Sequence, residues 1–282
     1  MTASSPTVTS IDLRIQPIDE VLEHVQCALD VRVDPESLVR KRRTVGARTD
    51  RGTWVRIERR PLENINGQGW NGTECASILD GVAKPTWLRG MSWSDVARAA
   101  MWRADETELL PGKPVGPDSV SVLPEEWWEA LNRSLDALAE QRTTRVATPD
   151  TVPITQAGVT SVIRETFTEV PDTTVEDWAP AHADLNWANV TSPQFCMFDW
   201  EDWGMAPRGL DAAWLWGNSL VFPELAERVR RERQRDLESR EGKLMSLFFC
   251  TKILGSHADP GDPRAGLARI EADRIVAELQ AG

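Results

Sequence analysis

The stretch Ala181–Trp216, AHADLNWANVTSPQFCMFDWEDWGMAPRGLDAAWLW, decides how this chain is read. His182-Ala183-Asp184 opens it. Asn189 follows five residues after the Asp, and Asp199 fifteen residues after it. Asp199 closes the apolar run Phe195-Cys196-Met197-Phe198, which predicts a short buried strand. Thr191-Ser192-Pro193-Gln194 supplies turn chemistry before that run. The expected arrangement is a loop, a strand, a turn and a second strand, with Asp184, Asn189 and Asp199 meeting at one end of a cleft. Two carboxylates and an amide are poor core material, because carboxylates are rarely buried without partners. They suit Mg²⁺, which takes hard oxygen ligands and keeps waters and substrate phosphates. An aspartate beside such a cation can orient and deprotonate a hydroxyl during phosphoryl transfer.

Working outward, the C-terminal part of the 282-residue chain is mostly helical in pattern. Pro124 marks a helix start, and Trp128, Leu131, Leu135 and Leu138 follow on one apolar face. The region beyond Leu210 also reads as helix, ending on the face Ala268, Ala272, Ile275 and Leu279. The N-terminal part is β-rich. Leu38–Arg60 predicts a hairpin around Thr49-Asp50-Arg51-Gly52, with its many arginines solvated on one face. An Asn- and Gly-rich loop covers Asn64–Gly72, a short helix Glu74–Val82, and two more strands Thr86–Trp93 and Ala99–Ala104. A short amphipathic stretch at Ile18–Leu29 precedes all of these. The Pro- and Gly-rich Leu109–Asp118 is the best boundary. Segregated strands and helices predict an α+β chain of two lobes with a cleft between them, residues 1–107 and 108–282.

The catalytic segment resembles the protein-kinase-like fold. His182-Ala183-Asp184-x-x-x-x-Asn189 is similar to its catalytic loop, and Asp199-Trp200-Glu201-Asp202 sits where that fold keeps a metal-binding Asp. The most similar version is the aminoglycoside phosphotransferase and choline kinase family, in which a second Asp begins a helix, as Leu210-Asp211-Ala212-Ala213 does here. The resemblance implies a small nucleotide-binding N-terminal lobe, a larger catalytic and substrate-binding C-terminal lobe, and ATP with Mg²⁺ as cofactors. By it Asp184 is the catalytic base, His182 braces the loop, Asn189 and Asp199 bind metal, and Asp211 anchors the loop. Glu201 is a further candidate for metal or substrate contact. Ala183 stands where the family usually has Gly, and Asn186-Trp187 where it has His-Pro. Neither a glycine-rich loop nor a Walker A motif is present. Arg56, on Trp54-Val55-Arg56-Ile57, is the candidate for holding the phosphates, with Glu74 as its partner and Lys41 as a rival. The adenine is expected against Glu106–Leu110.

The acceptor is expected to be a small molecule. Six of the 13 Trp lie in or near the catalytic segment, and Trp187 and Trp203 are candidates to line its pocket. The net charge of −12 favours a cationic acceptor such as an aminoglycoside, another antibiotic or an amino alcohol. It argues against a nucleic-acid partner, which would call for a basic footprint. A kinase for Ser or Thr of a biosynthetic peptide, and an inactive nucleotide-binding scaffold, are the alternatives. No apolar run reaches the roughly 18 residues of a membrane span, no signal peptide is seen, and the four scattered Cys read as free thiols. The expectation is a cytoplasmic protein with no membrane partner; the sequence does not fix its oligomeric state.

Overall fold

The computed structural model describes residues 12–62, 68–116 and 123–281. They form two compact units, one of residues 12–70 and 85–110, the other of residues 71–84 and 111–281. The segment Asn71–Lys84 therefore packs with the second unit, although the chain passes through the first both before and after it.

In the first unit, β1 (Val39–Arg40), β2 (Thr44–Arg48), β3 (Thr53–Pro61), β4 (Trp87–Asp95) and β5 (Ala100–Glu108) form one sheet in the order β1-β2-β3-β5-β4. Every neighbouring pair is antiparallel. The hairpin expected over Leu38–Arg60 is present. Its turn closes through Gly52 N–H to the Thr49 carbonyl at 3.1 Å. Side chains alternate in β3, as the period of a strand requires. Val55 and Ile57 join Val45, Trp102 and Ala104 on a buried apolar face, with Val25 and Leu29 of α1 (Asp19–Leu29) in the same core.

The other face carries charge, and here the sequence reading needs correction. Its arginines are not simply solvated. Arg60 and Glu58 are both buried, and Glu58 accepts from Arg56 at 2.9 Å and from Arg60 at 2.5 Å. Next to them on β5, Arg103 binds Asp105 through two bonds of 2.6 and 2.7 Å. Trp87 Nε1 donates to the same Asp105 at 2.8 Å. Alternating arginine and acid along one strand face lets each charge find its partner two residues away, which burial demands.

The second unit begins with α2 (Gly72–Cys75), which gives way to a 3-10 turn over Ala76–Ile78. The helix expected to reach Val82 stops there, before Asp80 and Gly81, whose φ is +70°. Then come β6 (Lys113–Pro114), α3 (Glu125–Ala139), α4 (Gln156–Thr166), β7 (Trp178–Ala181), β8 (Thr191–Ser192) and β9 (Gly204–Pro207). The chain finishes with α5 (Leu210–Asn218), α6 (Pro223–Glu232), α7 (Gln234–Leu237), α8 (Arg240–Leu254) and α9 (Ala265–Ala281). Pro124 caps α3 as its spacing predicts, and Trp128, Leu131, Leu135 and Leu138 are all buried. α5 and α8 form the centre of the core: Leu210, Leu215, Leu244 and Leu247 are wholly buried. Gly209 enters α5 at φ +86°, with the Cα of Gly242 against it; no side chain fits there. Among the described residues all four cysteines are free, and no helix is long and apolar enough to cross a membrane.

Two short antiparallel ladders, β7 with β9 and β6 with β8, frame the segment between Ala181 and Gly204. The expected hairpin inside that segment is reduced. Phe195–Phe198 forms no ladder strand, and a single antiparallel bridge joins Val190 to Met197. Thr191 N–H to the Cys196 carbonyl and Phe198 N–H to the Asn189 carbonyl, both 3.0 Å, complete the approach. β8 carries β6 on its other edge.

Candidate active site

The loop after β7 is built on Asp211. This residue lies in the first turn of α5, and its carboxylate accepts from the backbone N–H of His182 at 2.7 Å and of Ala183 at 2.8 Å. Burial pushes the Asp211 carboxyl up, against the pull of the neighbouring His182 ring and the two N–H donors. Ala183 is held at φ +70°. Glycine adopts that conformation freely and other residues at a cost, so the Ala that replaces the usual Gly is strained. The Asp211 clamp is what holds it. His182 is fully buried, and its Nε2 lies 3.0 Å from the Phe198 carbonyl, next to Asp199. Its ring meets Trp200 edge-on with centroids 4.6 Å apart. Burial pushes the imidazole below its ordinary value. A neutral ring that donates from Nε2 fits both facts. His182 thus ties the Asp184 loop to the Asp199 segment.

Asp184 is half-buried at the loop's tip. Asn189 Nδ2 donates to its Oδ2 and to its main-chain carbonyl, both at 2.8 Å. Asn186 Nδ2 donates to its Oδ1 at 3.1 Å and to the same carbonyl at 3.0 Å. Burial pushes the Asp184 carboxyl up; Asn189 opposes this, the charge of Asp199 adds to it, Asn186 opposes it, and Glu201 adds to it. The structure therefore joins Asn189 to Asp184 directly and brings the segment leading into Asp199 to Asn189, through Phe198 N–H to the Asn189 carbonyl at 3.0 Å. Asp199 itself sits at φ +69°. The Asn189 amide nitrogen is committed to Asp184, which leaves its Oδ1 as a hard oxygen donor. Among the described residues no three His, Cys, Asp or Glu side chains gather as a cage for a metal ion. Asp199 and Asn189 Oδ1 are the residues that could hold Mg²⁺, which keeps its waters and takes one or two protein ligands.

The remaining sequence candidates are placed as follows. Trp187 is half-buried two residues from Asn189, and its ring stacks on Trp127 at 6.0 Å while Nε1 donates to Ser219 Oγ at 3.1 Å. Trp203 is 0% exposed, donates to the Gly72 carbonyl at 2.9 Å and carries Arg145 5.1 Å above its ring. It has no face for a ligand, so the expectation that it lines a pocket is corrected: it is a core residue. Arg56 lies on β3 with Glu58 as a partner that the sequence reading did not name. Glu74 lies on α2.

Two contributors escaped the sequence reading. Arg145 donates to the carbonyl of Trp203 at 3.2 Å, to that of Glu201 at 3.5 Å and to Asn71 Oδ1 at 3.0 Å. It thereby fixes the backbone just beyond Asp199, and no motif marks it. Gly72 lies against the same backbone; a Cβ there would fall 2.3 Å from the Trp200 carbonyl oxygen. Asn186 was visible as a departure from the family pattern, with no role attached.

Comparisons with known proteins agree with this geometry. Residues 117–245 match the model of the phosphotransferase enzyme family, APH. This segment is similar to the phosphotransferase enzyme family. The activity that goes with it is transfer of a phosphoryl group to a hydroxyl. No curated protein matches the chain. Among solved structures, the aminoglycoside phosphotransferase APH(4)-Ia is 12% identical, with a TM-score of 0.64 over 94% of this chain and 100% of its own. The amicoumacin kinase hAmiN, solved with AMP-PNP, Ca²⁺ and Ami, is 14% identical, with a TM-score of 0.56 over 92% and 94%. A choline/ethanolamine kinase family protein from Mesorhizobium loti is 16% identical, with a TM-score of 0.55 over 94% and 99%. At such identities these likenesses establish the protein-kinase-like α+β fold.

Proposed function

We propose that this phosphotransferase moves the γ-phosphoryl group of ATP to a hydroxyl of a small molecule, with Asp184 as the catalytic base. The observation that supports this is a half-buried Asp184 held at both carboxylate oxygens by Asn189 and Asn186, with the segment that leads into Asp199 bonded to the same loop through His182 and Asn189. In the reaction the acceptor hydroxyl gives its proton to Asp184. Its oxygen forms the new bond to phosphorus, and the bond between the γ-phosphorus and the bridging oxygen breaks, releasing ADP. Mg²⁺, held by Asp199 and Asn189 Oδ1, would supply neutralising charge for the phosphates. Glu201 adds a further carboxylate to that ground. His182 keeps the Asp184 loop and the Asp199 segment in register through its bond to the Phe198 carbonyl. Arg56, in the first unit, is the proposed phosphate contact, and Glu74, on α2 of the second, is the proposed helix acid.

The acceptor we favour is a cationic amino sugar or amino alcohol. Its support is the net charge of −12 and the substrates named for the structural relatives. Trp187, half-buried beside the Asp184 loop, is the proposed aromatic wall for it. Nucleic acid and membrane are not proposed as partners, and the cytoplasm is the proposed location. The test is turnover of labelled γ-phosphate by Asp184→Asn. The substitution keeps the shape and one of the two acceptor oxygens but cannot take a proton. It should cut kcat by about 10²–10⁴-fold while ATP binding stays nearly intact. Full turnover in that variant refutes the assignment.

A further inference from the structure

We propose that Asn186 is a positioning residue for phosphoryl transfer, clamping the Asp184 carboxylate from the side opposite Asn189. The proposal rests on the reading of Asp184 as the base. The carboxylate has one amide donor on each oxygen: Asn189 Nδ2 on Oδ2 at 2.8 Å and Asn186 Nδ2 on Oδ1 at 3.1 Å. Both amides also reach the Asp184 main-chain carbonyl, at 2.8 and 3.0 Å. The carboxylate can therefore rotate neither about its own bond nor against its backbone without breaking a bond. Each oxygen has a second lone pair, so a place remains for the acceptor hydroxyl.

The orientation of the Asn186 amide is itself determined. Its Oδ1 accepts from Ala188 N–H at 2.9 Å, which makes Asn186 the N-cap of the 3-10 turn Trp187–Asn189. A flip of the amide would turn an NH₂ group toward an N–H and an oxygen toward a carboxylate, losing both bonds. The turn closes through Asn189 N–H to the Asn186 carbonyl at 3.0 Å, and Trp187 pins it to Ser219. One short turn thus presents two amides, three residues apart, to the two oxygens of one carboxylate. A neutral donor suits the place. It orders Asp184 without adding a charge that would compete for it, where the charges of Asp199 and Glu201 already act on the carboxylate. The family pattern carries His at this position, so the device belongs to this chain.

Capping and clamping can be separated, because Ser and Asp cap as well as Asn but neither gives Asp184 an amide. Asn186→Ser and Asn186→Asp should melt within a few degrees of the wild type and keep the KM for ATP. Their kcat should fall roughly 10–100-fold, as displacement of a reacting group implies, with Asp the worse because it adds a like charge. Turnover is read as phosphate release from Mg·ATP with water as acceptor, and as transfer to a panel of amino-sugar and amino-alcohol hydroxyls. Wild-type kcat in both variants, with a loss only in Asn186→Ala, means that Asn186 merely caps, and the proposal falls. Asp184→Asn in parallel separates the failures: if that variant turns over normally, the base assignment falls; if it is inactive while the Ser and Asp variants are not, only the clamp falls. A second measurement needs no turnover. Asn186→Ser should lower the melting temperature more in the wild-type background than in an Asp184→Ala background, and equal shifts in the two would overturn the contact.

Discussion

Substitution of Asp211 is where fold and chemistry meet most directly. Its carboxylate is 7% exposed and is the acceptor for two buried backbone N–H groups, those of His182 at 2.7 Å and Ala183 at 2.8 Å. Asp211→Ala leaves both donors without an acceptor in the protein interior. An orphaned buried N–H costs about 1–3 kcal/mol, so the pair costs about 2–6 kcal/mol. Release of the buried charge offsets part of this, which puts the expected loss near 3 kcal/mol. Asp211→Asn retains one oxygen acceptor but turns an NH₂ group to the second N–H, so about half the loss is expected. For a chain of this size each kcal/mol is worth roughly 2–4 °C, giving falls of about 10 °C and about 5 °C in thermal melts. The same substitution should damage turnover even where the protein stays folded, because the Asp211 bonds hold Ala183 at φ +70° just ahead of Asp184. Measured well below its melting point, Asp211→Asn should lose kcat at least tenfold, on the scale of a misplaced catalytic group. A melt unchanged within 2 °C would refute the reasoning about the clamp. A lowered melt with wild-type kcat would refute its link to Asp184.

Two further outcomes follow from the burial of His182 and of the tryptophans. Burial holds the His182 imidazole below its ordinary value of 6.5, so below that pH the unfolded chain binds a proton that the folded one refuses. Its contribution to stability is therefore flat above about pH 6.5 and falls on acidification; urea midpoints at pH 7.5 and 5.5 should differ more in the wild type than in His182→Gln, and equal differences would exclude the buried neutral ring. Trp203→Ala should destabilise by about 3–5 kcal/mol as a core truncation, whereas Trp187→Ala should raise the KM of the acceptor and, by freeing the turn it ties to Ser219, lower kcat as well; a selective KM effect from Trp203 with an unchanged melt would reverse the two assignments.

Much of the site could be read from the sequence because its parts lie within a single segment. Asp184, Asn189 and Asp199 are spaced so that one loop and one reversal bring them together, whether or not the reversal forms a full hairpin. It does not: a single bridge joins Val190 to Met197, while β8 pairs with β6 far upstream, a partner too distant to leave a local signal. Helix α3 was legible from its Pro124 start and its apolar stripe. Other features depend on contacts that no pattern announces. Arg145 reaches the Glu201 and Trp203 carbonyls from 56 and 58 residues away. The charged face of β3 read as solvated because alternation reports which side chains share a face, while the burial of that face depends on the rest of the fold. Trp203 and Trp187 look alike in the sequence. Only the packing of Gly72 and Arg145 around the first, and the half-exposure of the second, tell them apart.

The central claim is that Asp199, with Asn189, binds the metal beside Asp184. Melting temperatures with ATP alone, with Mg²⁺ alone and with both test it most directly, since a ligand that binds only the folded state raises the melt. The wild type should be stabilised by several degrees by the pair together and little by either alone, and Asp199→Ala should lose that synergy while Asp184→Asn keeps most of it. Undiminished synergy in Asp199→Ala would contradict the account.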